Sequence, residues 1–163
     1  MPTPISSYDF ITAKIRAMKD AYPSMRSKTD DYVFSALCVK SHFYKNPALV
    51  LNESELNDLI VDGQYDGGVD VLLSDPNAEG ADLVIGQSKY YGTITNEQVQ
   101  NALLKMALFY KDMVSGHYEQ VNANVQQRFL SLNAEVGEES KIHFVFYTSA
   151  EKGGIRPDRL ERK

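Results

Sequence analysis

The chain has one cysteine, no apolar run of membrane-spanning length and no excess of positive charge, and each absence narrows its possible class. Cys38 has no second thiol with which to form an intrachain disulfide or a zinc site, so a reducing compartment is expected. No apolar stretch approaches the ~20 residues of a membrane span, and Met1-Pro2-Thr3-Pro4 lacks the basic-then-apolar plan of a secretory signal. The expectation is a cytoplasmic protein with no membrane partner. A formal net charge of −5 counts against a domain that holds nucleic acid on a broad basic surface. That exclusion is partial, because a carboxylate-rich site turns locally cationic when a metal ion arrives. Lys152, Arg156, Arg159, Arg162 and Lys163 also form a basic cluster.

The 163 residues, 43% hydrophobic and 24% charged, suit one domain with a sizeable core. A helix beginning in the basic cluster would be cut off at Lys163. The expected layout is therefore one domain over 1–150, with 151–163 a basic tail or the start of a following segment.

Periodicity supplies the elements. Ile11, Ile15, Met18 and Tyr22 follow possible caps at Ser6 and Ser7, which predicts an amphipathic helix to about Ala21, stopped by Pro23. A second helix is expected from Ser27–Thr29, with Val33, Phe34, Leu37, Cys38 and Tyr44 on one face and Asn46-Pro47 as terminator. Asn52 and Glu55 read as a capping box opening a short helix through Leu56, Leu59 and Ile60, ended by Gly63. The period then changes: Val69–Leu73 and Ala81–Tyr90 read as antiparallel strands joined by a turn-rich Ser74–Gly80. Thr95 and Gln98 form a second capping box before Val99, Ala102, Leu103, Met106, Tyr110, Met113 and Val114, a helix ended by Gly116. Tyr118, Val121, Val125, Phe129 and Leu132 continue as another helix. Ile142–Tyr147 is apolar on both faces, which predicts a buried strand reached by a helical crossover and parallel to an earlier one. The fold class expected is α/β, a three-layer α/β sandwich with a small mixed sheet.

The chemistry gathers at the hairpin. Side chains alternate along a strand, so Gln87 and Lys89 point the same way, roughly 7 Å apart, and Asp70 approaches from the partner strand. A hard cation takes oxygen ligands, and it could use the Asp70 carboxylate, the Gln87 amide oxygen and the Ser88 backbone carbonyl. Magnesium fits that set, with manganese as a substitute. Lys89 has two available roles: orienting or deprotonating an attacking water, or stabilising charge on phosphate oxygens. The bland alternatives are a tight turn at Asp66-Gly67-Gly68 and an exposed strand end at Gln87-Ser88-Lys89. Their conjunction at hairpin distance favours a site.

The segment from Asp62 to Tyr90, Asp-Gly-Gln-Tyr-Asp-Gly-Gly-Val-Asp and then Gly-Gln-Ser-Lys-Tyr, resembles the PD-(D/E)xK nuclease superfamily in the variant where Gln replaces the second acid. That variant looks like the Mrr-like restriction endonucleases, and the glycines before Asp70 look most like the N-terminal domain of the abortive phage infection proteins called AIPR. The resemblance implies a restriction-endonuclease-like fold, metal binding at Asp70 and Gln87, catalysis by Asp70, Gln87 and Lys89, and a role in restriction or abortive phage defence. In element order it covers roughly Thr29 to Tyr147, and in motif about thirty residues.

One departure stands out. Mrr-like domains usually carry an acid on the helix before the hairpin, directly after an aromatic residue, whereas Phe34 is followed by Ser35. Asp31, one turn earlier on the same face, or Asp30 beside it, is the candidate outer carboxylate; both also suit an acidic helix start. Tyr90, with Tyr91, could stack on bases or pack at a strand rim, and Gln98 is a further candidate nucleic-acid contact. His143 reads as a satisfied core residue, His42 and His117 as helix-end cations, and Cys38 as core. The function expected is a metal-dependent endonuclease domain hydrolysing DNA phosphodiesters. The alternatives are a nuclease-fold module that binds nucleic acid or a partner protein without cutting, and an unrelated α/β interaction domain. Candidate partners are DNA, a second copy of the chain as a homodimer, and further domains beyond Lys163.

Overall fold

The computed structural model describes residues 6–49, 51–61, 68–119 and 121–150. Each helix starts where a side chain accepts from an otherwise unsatisfied backbone N–H. Ser6 caps α1 (Ser7–Ala21), accepting from Asp9 N at 3.1 Å. A short 3-10 turn, Pro23–Met25, buries Met25 and leads to α2 (Asp30–Phe43), which Thr29 caps and whose first-turn Asp30 and Asp31 suit the positive end of the helix dipole. Asn52 with Glu55 closes a reciprocal box on α3 (Glu53–Leu59), and Thr95 with Gln98 does the same on α4 (Asn96–Val114). Asn122 caps α5 (Ala123–Asn133).

Two helix boundaries differ from the sequence reading. Helix α3 stops at Leu59, because Ile60 turns extended and bridges to Val71; Gly63, the expected terminator, lies outside the described residues. Tyr118 and Val121 precede α5 in a turn, with Val121 N donating to Tyr118 O at 3.1 Å. The Gln126 amide donates to both Tyr118 O and Val121 O, holding that turn apart from the helix.

Strands β1 (Val71–Ser74) and β2 (Leu83–Lys89) pair antiparallel, and β3 (Ile142–Thr148) pairs with β2 in parallel, giving the order β1-β2-β3. Among the described residues the chain is thus mixed α/β, with five α-helices and a small three-stranded mixed sheet. Strand alternation sorts the sheet's side chains between two apolar clusters. Val71, Leu73 and Val84 join Ile15, Met18, Val33, Phe34 and Val39 of α1 and α2. Leu72, Leu83 and Ile85 join Met106, Phe109, Met113, Val125 and Phe129 of α4 and α5. Burying a Leu, Val or Phe side chain contributes about 1.5–3 kcal/mol, so these clusters anchor β1 and β2 from both sides.

The face of α2 is broader than expected. Val33 and Phe34 are buried, but so are Ser35, Ala36, Val39 and Phe43, while Leu37, Cys38 and Tyr44 are only partly buried. The cause is that α2 meets α1, α3 and β2 together, so its apolar stripe must serve more than one neighbour. Strand β3 was expected to be buried on both faces and is instead half-exposed, with Phe144 37% accessible. Both β1 and β3 are edge strands among the described residues, but β1 is met by α3 and α5, whereas the main helix against β3 is α4, which leaves its other face less covered. Among the described residues, no helix is long and apolar enough to cross a membrane.

His143 is satisfied at this edge rather than in a core. Its Nε2 lies 3.0 Å from Asp82 Oδ2, and Asp82 Oδ1 accepts from Lys141 N at 2.9 Å, joining the starts of β2 and β3. The Lys141 N–H first, and the His143 contact second, hold the Asp82 carboxyl below the usual value. A depressed carboxyl stabilises the fold above its unfolded-state pKa of about 3.9, and that contribution is lost as pH falls through the lower folded-state value. Asp82→Asn should therefore lower the melting temperature at pH 7, by a margin that shrinks below about pH 4. A margin constant from pH 7 to pH 3 in thermal melts would contradict this role.

Candidate active site

The site begins with how Asp70 is held. Its N–H donates to Gly86 O at 2.8 Å and its C=O accepts from Val61 N at 2.8 Å, so the backbone is pinned from both sides just before β1. The paired register ends at Val71↔Gly86, and Asp70 bonds to that same Gly86 rather than to Gln87, a bulge-like step out of the ladder. Asp70 Oδ2 accepts from Ser88 N at 2.8 Å, which aims the carboxylate at the end of β2. Gly86 makes this close approach possible: a Cβ there would stand 3.1 Å from Val145 Cγ2 and 3.2 Å from Val71 Cβ. Gly68 takes φ of +79°, in the left-handed region that favours glycine, and a Cβ on it would press the Lys105 stem at 3.4 Å.

Gln87 lies on the α4 side of the sheet with Ile85, because strand residues two apart share a face. It is 6% accessible, and its Oε1 has no hydrogen-bond partner among the described residues. An unsatisfied buried acceptor typically costs about 1–3 kcal/mol. Native interiors rarely keep one without a reason such as an ion or a ligand. A carboxamide oxygen beside a carboxylate is a hard-cation donor set. Lys89, two residues on, makes no ion pair among the described residues, and its Nζ lies 5.9 Å from the Tyr91 ring centroid.

These residues open on one cleft of about 820 Å³, whose lining includes Asp31, Ser35, Asp70, Gln87, Ser88 and Lys89. Asp31 is thus the helix acid that reaches the cleft, whereas Asp30 turns to α1 and pairs with Lys19 Nζ at 2.7 Å. Ser35 is buried where the resemblance would put an acid. Its Oγ donates to Asp31 O at 3.2 Å and lies 2.5 Å from Ser88 Oγ. This hydroxyl pair, in which either oxygen can donate, ties α2 to β2 beneath the site.

Tyr90 is not brought to the cleft. It faces α1 and α2, stacked on Tyr8 at 4.8 Å between centroids, 5.6 Å from the Phe34 ring, with its hydroxyl bonded to Thr12 Oγ1. Parity explains the placement, since Tyr90 follows Ser88 to the α2 side. Tyr91, 43% accessible, lines the cleft instead. Cys38 is also excluded as a nucleophile, because burial pushes its thiol up to about 12. Asp62 and Asp66 lie outside the described residues, as does the basic cluster from Lys152 to Lys163.

Lys105 and Asp112 line the cleft as well and were missed by the sequence reading. Gln98, Asn101, Lys105 and Asp112 recur at helical spacing beside the buried Val99, Ala102 and Met106. A polar stripe of this kind ordinarily reads as a solvated face. Its signal was the position of α4, starting directly after the strand that carries Gln87 and Lys89. Among the described residues, no three or more His, Cys, Asp or Glu gather into a metal-holding group. The donor set around Asp70 depends on an amide in place of a second acid. Comparison with family models, curated proteins and solved structures gave no match to this chain.

Proposed function

We propose that this chain is a metal-dependent endonuclease domain hydrolysing DNA phosphodiester bonds, on a three-layer restriction-endonuclease-like sandwich. Apolar clusters on both sides of the sheet support the layering. The observation that carries the function is the buried Gln87 Oε1, unpartnered among the described residues, in the same cleft as the anchored Asp70 carboxylate, with Lys89 following on the same strand face. Asp70 and Gln87 would hold Mg²⁺ or Mn²⁺, with the Ser88 carbonyl and Asp31 as further oxygens. When bound, the ion polarises the scissile phosphate and lowers the pKa of a water. The Lys89 ammonium would donate to phosphate oxygens or orient that water, while the Ser88 N–H keeps the Asp70 carboxylate turned to its task. The resemblance extends the proposal to restriction or abortive phage defence in the cytoplasm, with a homodimer as a candidate assembly.

A second reading, a nuclease-fold module that binds without cutting, is favoured by Ser35 standing where an outer acid is expected and by the sparse acid set among the described residues. Cleavage of plasmid and single-stranded DNA in Mg²⁺, Mn²⁺ or EDTA separates the two. Wild-type cleavage in metal, abolished by EDTA, is the expected result. Lys89→Met keeps the stem and removes the charge, and it should cut about a hundredfold more slowly or worse while still binding DNA in Ca²⁺. Normal binding and normal cutting by that variant would make Lys89 structural.

A further inference from the structure

A second groove, of about 210 Å³, adjoins the cleft and shares Gln87, Lys89, Tyr91 and Lys105 with it. Its character differs. The main cleft includes the carboxylates of Asp31, Asp70 and Asp112, but no acid among the described residues lines the groove. What lines it is two ammonium groups, Lys89 and Lys105, the exposed ring of Tyr91, and the side-chain amides of Gln98 and Asn101. Gln98 Oε1 is committed to the α4 cap, accepting from Thr95 N at 2.8 Å, so its NH₂ is the part of that amide left to act as donor. Two cations, a flat accessible ring and hydrogen-bonding amides match an anion joined to an aromatic heterocycle, which is the chemistry of a nucleotide.

We infer that this groove binds one unpaired nucleotide next to the scissile phosphate, with its phosphate on Lys105 and its base on Tyr91, so that the substrate is a single-stranded segment. This rests on the endonuclease reading above and adds the class of strand it acts on. Stacking on Tyr91 needs a free base face, which inside a duplex is occupied by neighbouring bases, while Gln98 and Asn101 add hydrogen-bonding groups for the edge of the stacked base. The Lys105 stem passes close to Gly68, two residues before Asp70, since a Cβ built there would stand 3.4 Å from it. The same helix thereby joins the phosphate-binding cation to the metal-binding strand end.

The test measures binding of a labelled oligonucleotide, single-stranded or as a blunt duplex, in Ca²⁺ by anisotropy, together with cleavage in Mn²⁺. Variants are Tyr91→Ala and Lys105→Gln, both at accessible positions, with folding checked by circular dichroism. The wild type should prefer the single strand. Tyr91→Ala should weaken that binding about tenfold and leave the duplex unchanged. Lys105→Gln should reduce the salt dependence of single-strand binding by roughly one phosphate, about 0.7 in log–log slope. Wild-type binding and cleavage of the single strand by both variants would overturn the groove while leaving the nuclease reading intact, provided that Asp70→Asn is inactive. Loss of single-strand binding in both variants, with no cleavage by the wild type, would support the groove and sink the nuclease reading. A wild type that binds neither form overturns both.

Discussion

Asp70→Asn abolishes metal-dependent cleavage and leaves the fold intact, whereas Asp70→Ala abolishes cleavage at a cost in stability. The difference lies in the Ser88 N–H, which donates to Asp70 Oδ2 at 2.8 Å. Asparagine keeps an oxygen to accept that bond and removes only the anionic ligand, while alanine strands a partly buried donor at about 1–3 kcal/mol. The chain before Asp70 also carries Asp62 and Asp66, and removing one carboxylate from an acid-rich segment relieves like-charge repulsion. The contact with Ser88 adds a term of opposite sign. Thermal melts of both variants without metal measure the balance, and plasmid cleavage measures the function. Wild-type cutting by purified Asp70→Asn would remove Asp70 from the site.

The second large effect falls on Gln87. Because its Oε1 is buried without a partner among the described residues, the metal-free protein carries a cost that an apolar side chain of similar length does not. Gln87→Met should be inactive yet as stable as the wild type or more so, by up to about 1 kcal/mol. Gln87→Glu places a second carboxylate beside Asp70 in a dry position. Without metal it should be less stable and take up a proton; with Mn²⁺ it should bind more tightly than the wild type and retain part of the activity. The neutral amide of the wild type implies the reverse, weak Mg²⁺ binding until a substrate phosphate supplies another anionic oxygen. Calorimetry with Mn²⁺ and melts with and without the ion test all three proteins. Equal metal affinity in wild type, Gln87→Met and Gln87→Glu would mean that Gln87 is not a ligand.

Local chemistry was legible in the sequence wherever it is settled within a few residues. Asn52 and Thr95 cap their helices as read, and Ser6 and Thr29 fall among the start positions expected, since a cap is a contact between a side chain and a backbone N–H three residues away. The antiparallel hairpin and the parallel third strand were legible too, because turn residues and a helical crossover leave few alternatives. The grouping of Asp70, Gln87 and Lys89 followed from strand parity, and the same parity could have selected Tyr91 over Tyr90.

Other properties came only with tertiary structure, because they depend on what packs from far along the chain. The exposure of β3 depends on which neighbours cover an edge, and the broad buried face of α2 on its three partners. The choice of Asp31 over Asp30 depends on Lys19 claiming one of two adjacent acids. Lys105 looked like solvated helix surface until α4 lay against the strand end. By itself the sequence determined the elements, their pairing and the residues that share a face; tertiary packing decided which of those faces close around the cleft, since burial is a property of the neighbours rather than of the residue.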